Sequence, residues 1–133
     1  MEFAALAAWV LAATAGGYLL IKWLTSGGRG TKVTRFPVLV VIGHPLAAVI
    51  GLCVWIGYLA TGRAAFAWVA FAALLVVILQ GFMLLTRWLV GGGGRHARGR
   101  DQTFPAAAVA FHGLIAVTTF ILVFLTAMEV SRT

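Results

Sequence analysis

Acid is nearly missing from this chain: Glu2, Asp101 and Glu129 are its only carboxylate side chains. Each sits near a terminus or between apolar stretches, so none lies midway along an apolar run. That excludes general acid–base work by paired carboxylates. It also argues against a proton-coupled pump or drug exporter built around a buried acid. Cysteine is almost absent as well. Cys53 alone excludes an internal disulfide and leaves the redox compartment open. No Ser/His/Asp set is available for nucleophilic catalysis. The Gly91–Gly94 run follows an apolar stretch and lacks the preceding strand and the Lys-Ser/Thr of a phosphate-cradling loop. Charge of either sign is scarce: 10% of the 133 residues are charged and 62% hydrophobic, with mean hydropathy +1.05. A soluble domain is about one quarter charged, and no water-soluble fold of this size hides so much apolar surface. The solvent must be lipid.

What is present is organised as four apolar stretches, at about 3–24, 36–60, 65–90 and 104–128. Each exceeds the roughly 20 helical residues that cross a bilayer core. Backbone hydrogen bonds must close within each segment in lipid, so helices are expected, and the runs lack the alternating polarity of barrel strands. The first stretch has Glu2 in place of a basic leader and is longer than a signal-peptide core, so it reads as a retained span. The expected fold is an all-α, polytopic membrane four-helix bundle forming one transmembrane domain over residues 1–133.

The net charge of +7 is concentrated in two loops. Lys22, Arg29, Lys32 and Arg35 lie in or beside the first, and Arg87, Arg95, Arg98 and Arg100 in or beside the third. The opposite side has only Arg63 and Arg132. Under the positive-inside rule both basic loops face the cytoplasm of a plasma membrane and both termini lie outside. This pattern speaks for topology and lipid headgroups rather than for nucleic acid. The Ala/Gly/Arg bias resembles that of high-GC bacterial proteins. The five tryptophans are expected mostly toward helix ends, as an interfacial belt, with Trp55 less obviously interfacial and a candidate for lining a cofactor cavity.

A pattern Phe-Pro-x3-Val-x2-His-x-Leu-x-Ala-Val occurs twice. Phe36, Pro37, Val41, His44, Leu46, Ala48 and Val49 match Phe104, Pro105, Val109, His112, Leu114, Ala116 and Val117. The preceding stretches match at their ends: Gly16, Leu19, Leu20, Lys22, Trp23 and Leu24 with Gly81, Leu84, Leu85, Arg87, Trp88 and Leu89. The chain therefore reads as two tandem helical hairpins, about 1–62 and 63–133. Each has two crossings, which makes a parallel repeat about a pseudo-twofold along the membrane normal. Pro37 and Pro105 suit the first turn of their helices, where no backbone donor is lost.

Ionisable groups within a membrane are functional candidates, and here those are His44 and His112. Each follows its opening Phe by eight residues, about 12 Å into the membrane at 1.5 Å per residue. Diagonal helices of a bundle stand roughly 13 Å apart, a gap that admits a flat cofactor with one imidazole on each side. The neighbours are small, among them Gly43, Ala47, Ala48, Gly51, Ala108, Gly113, Ala116 and Thr119. That suits a porphyrin and equally suits close helix packing. Lys22 and Arg87 occupy matched helix ends, where they can pair with propionates or snorkel to lipid phosphates. Gln80, matched by Ala15, is a candidate for a hydrogen bond across the bundle or for a quinone or water contact.

With these residues the chain resembles the four-helix membrane cytochromes of the b type, in which paired histidines ligate haem. The resemblance implies His44 and His112 as axial ligands of one haem b, with Lys22 and Arg87 as propionate contacts. It implies electron exchange with a quinone or a redox partner protein. Two-haem members need a second pair of histidines near the other surface; His96, in the glycine–arginine loop, does not supply one, so at most one haem is expected. The competing expectations are a non-catalytic membrane subunit of a larger complex, and a small transporter or metal-handling protein. A homodimer or larger assembly is compatible with all three. Two imidazoles are too few for a closed zinc site.

Overall fold

Four long apolar sequences give four long helices. The computed structural model describes residues 1–26, 36–90 and 104–132. The helices are α1 (Glu2–Thr25), α2 (Val38–Thr61), α3 (Ala64–Val90) and α4 (Ala106–Val130). All are long and apolar enough to cross a membrane. The basic stretches 27–35 and 91–103, with Arg29, Lys32, Arg35, Arg95, His96, Arg98 and Arg100, lie outside the described residues.

The helix boundaries follow local chemistry. Pro37 and Pro105 stand one position before their helices rather than in the first turn, with extended backbones (φ −61°, ψ 119° and φ −58°, ψ 119°). The Pro37 carbonyl accepts from the amides of Val40 and Val41, and the Pro105 carbonyl from those of Ala108 and Val109. Between α2 and α3 only Gly62 and Arg63 intervene. Gly62 takes the left-handed conformation (φ 66°) and returns its amide to the Tyr58 carbonyl, the usual glycine helix stop.

The helices form a ring in chain order. Each packs on the one before and the one after, and α1 closes against α4. The diagonal pairs are α1 with α3 and α2 with α4. The most extensive interfaces join α2 to α3 and α1 to α4, and those within the sequence halves are smaller. The halves thus interlock.

Alanines line much of the interior: Ala5, Ala12, Ala67, Ala70 and Ala127 are buried, letting backbones approach as membrane helices require. Large apolar side chains point outward instead, among them Phe3, Ile21, Leu39, Leu79 and Leu114. A surface this apolar suits lipid. Trp9 (2% exposed), Trp23 (1%) and Trp55 (0%) face inward, the first two in departure from the interfacial expectation. For Trp9 the reason is on the facing helix. A Cβ on Gly51 would lie 2.9 Å from the indole Cζ2, so the glycine makes the slot that the ring fills. Trp68 alone of the described tryptophans is exposed enough to meet lipid freely, and its Nε1 donates to Ser131 Oγ at 2.8 Å. At the same end, Tyr58 donates its hydroxyl hydrogen to Glu2 Oε2 at 3.1 Å, tying α2 to α1.

Candidate functional site: the histidine pair

An α-helical carbonyl points toward the residue four positions on, whose side chain leans back over it. A glycine at that position leaves the carbonyl open to a second donor. Gly16 stands four residues after Ala12, and Gly81 four after Val77. His112, on α4, takes the first of these openings. Its Nδ1 lies 2.9 Å from the Ala12 carbonyl on α1, and its Cε1 lies 2.9 Å from where a Gly16 Cβ would be. His44, on α2, takes the second. Its Nδ1 lies 3.0 Å from the Val77 carbonyl on α3, and its Cε1 lies 3.3 Å from a Cβ on Gly81.

The acceptors, the glycines and the donors correspond one to one. Ala12 and Val77 are separated by the same 65 positions as Gly16 and Gly81, and the two histidines by the same 68 as Phe36 and Phe104. Both hydrogen bonds run from one sequence half to the other. The Phe36 and Phe104 rings also meet, at 5.6 Å between centroids and 72° between planes. They lie about 12 Å from the histidines along the helices, toward the end of the bundle that carries Lys22 and Arg87.

From the diagonal helices α2 and α4, the two imidazoles approach to 6.0 Å between centroids with planes at 78°. A backbone carbonyl accepts and never donates, so each Nδ1 carries the hydrogen. In the neutral ring Nε2 is then a bare lone pair, which is the form that binds a metal. A carbonyl on the far nitrogen is also the usual way in which a ligating imidazole is oriented. Among the described residues no group of three or more His, Cys, Asp or Glu side chains is placed to hold an ion. Two nitrogen donors are fewer than a closed metal site requires.

Of the remaining candidates only Gln80 adjoins the pair. Lys22 and Arg87 are exposed in the last turns of α1 and α3. The Lys22 Nζ lies 5.9 Å from the Tyr18 ring centroid. Gln80 borders the His44 segment: its Nε2 is 3.5 Å from a Cβ built on Gly43, and its buried Oε1 has no hydrogen-bond partner among the described residues. Cys53 is exposed on α2, away from the histidines. Two features were not anticipated from the sequence. The backbone acceptors Ala12 and Val77 could have been found from the glycines four residues later. Pro45, inside α2 directly after His44, removes the amide that would bond the Val41 carbonyl; its matched position is Gly113.

The chain matches no protein-family model, no curated protein and no solved structure.

Proposed function

We propose that this protein is a small integral-membrane cytochrome carrying one haem b between His44 and His112. The observation that supports this is the approach of two repeat-matched imidazoles to 6.0 Å between ring centroids, each with its Nδ1 engaged by a backbone carbonyl and so with Nε2 unprotonated in the neutral ring. A porphyrin supplies four equatorial nitrogens, so two imidazoles complete its coordination without any further protein ligand. When bound, the iron supplies reversible one-electron chemistry. The chain's own residues hold the imidazoles in one tautomer and orientation.

The same reading makes the two halves copies of one hairpin, related by a pseudo-twofold along the membrane normal. It places Lys22, Arg87 and the basic loops on the cytoplasmic side of a plasma membrane, with both termini outside. Electrons would pass to or from a quinone or a partner redox protein.

The test is an absorption spectrum of detergent-purified protein expressed with ample haem, oxidised and dithionite-reduced. A Soret band and sharp reduced α-band, lost in His44→Ala and in His112→Ala, support the reading. A colourless but folded protein overturns it. The imidazoles are then interhelical fasteners, and the protein is a structural membrane subunit.

A further inference from the structure

One end of the bundle holds a buried donor that no described residue bonds. Trp23 is 1% exposed, yet among the described residues its Nε1 has no hydrogen-bond partner. Leaving a buried N–H unsatisfied costs about 1–3 kcal/mol, so an inward-facing indole invites an acceptor. Trp23 follows Gly16 by seven residues. Seven residues are nearly two turns, which returns to the same helix face about 10.5 Å further along. The α1 face that offers the Ala12 carbonyl and the Gly16 slot to His112 therefore continues directly to Trp23.

We infer that the Trp23 indole N–H is a hydrogen-bond donor to a propionate carboxylate of the bound haem, an inference that rests on the haem reading above. A porphyrin carries both carboxylates on one edge, at the ends of two-carbon arms. A ring centred on His44 and His112 thus delivers them toward one end of the bundle. Charge selects the end. Lys22 adjoins Trp23, and Arg87 occupies the matched position on α3. The opposite end carries Glu2 and Glu129, which repel a carboxylate. Trp55 is the second buried indole without a partner among the described residues. It lies eleven residues beyond His44, toward that acidic end, and stacks on Tyr58 at 4.8 Å between centroids. It is badly placed to receive a propionate. Lys22 and Arg87 themselves are exposed and contribute long-range attraction, while the desolvated indole supplies a directed bond.

The experiment titrates haem, and separately its dimethyl ester, into apo-protein of the wild type, Trp23→Phe and Trp55→Phe. Phenylalanine keeps a ring in the slot and removes the donor. A hydrogen bond to a charged acceptor is worth at least a tenfold change in affinity. Trp23→Phe should therefore bind haem about tenfold more weakly, and that penalty should shrink below about threefold with the diester. Trp55→Phe should bind both as the wild type does. Retained diester affinity also reports that Trp23→Phe is folded. Equal haem affinity in Trp23→Phe and wild type overturns the inference and leaves the haem reading standing. So does a penalty of the same size for haem and diester, which marks a packing role. A wild type that binds neither compound overturns both.

Discussion

A Cβ on Gly16 would stand 2.9 Å from Cε1 of His112, closer than real side-chain contacts allow. The imidazole and the missing methyl group occupy the same space, and the Ala12 carbonyl is open to Nδ1 for the same reason. Gly16→Ala is therefore expected to push His112 off its acceptor. Overpacking of this kind costs about 1–3 kcal/mol, read as a lower thermal midpoint by circular dichroism. Gly81→Ala, with 3.3 Å to His44, should cost less. Equal midpoints for Gly16→Ala and wild type would show that the ring relocates freely.

The bond between His112 and Ala12 gives a second expectation. His112→Gly empties the ring's place while leaving the acceptor carbonyl intact. If the proposed haem is bound, added imidazole should then restore its Soret and α-bands, because the free ligand can donate one nitrogen to Ala12 and offer the other to iron. In His44→Gly the Val77 carbonyl should permit the same rescue. A spectrum indifferent to imidazole would mean that these carbonyls do not orient the ligands.

Tyr58→Phe removes the hydroxyl that bonds Glu2. Interhelical hydrogen bonds in membrane proteins average about 0.6 kcal/mol, so a small drop in thermal midpoint is expected. The visible spectrum should not change, since Tyr58 lies fourteen residues, about 21 Å, beyond His44 along α2. A shifted α-band in Tyr58→Phe would reveal coupling along the helix.

Sidedness is open to direct measurement. With Cys53 replaced by serine, a cysteine introduced at position 96 should react with a membrane-impermeant thiol reagent only after cells are permeabilised. One introduced at position 132 should react in intact cells. The reverse pattern would invert the proposed orientation.

The helices and the histidine pair were legible in the sequence for different reasons. Uninterrupted apolar runs leave a chain in lipid no alternative to helices, so α1 to α4 fall within about two residues of their expected spans. The histidines stood out because few polar groups compete for notice in such runs. What the sequence hid was backbone. The acceptors are main-chain carbonyls of Ala12 and Val77, which carry no side-chain signature, and only the glycines four residues on betray them. The inward turn of Trp9 and Trp23 was hidden because an indole suits both an interface and a core. Which one it enters depends on whether a facing helix offers a slot, as Gly51 does for Trp9. The prevalence of α2–α3 and α1–α4 contacts over those within each half was equally invisible, since repeat matching pairs residues by likeness and not by contact.

Both imidazole bonds cross between the halves, and this sets a schedule for biosynthesis. When the first two helices have entered the bilayer, His44 has no Val77 carbonyl to hold it, and the Ala12 carbonyl awaits a ring from the last helix to be made. The third helix settles one histidine; the fourth brings the other. A ribosome stalled before α4 has emerged would hold a membrane-inserted chain with three spans and no completed clamp. Any ligand that needs both imidazoles must arrive after translation is all but over, at a site that closes in a single final step.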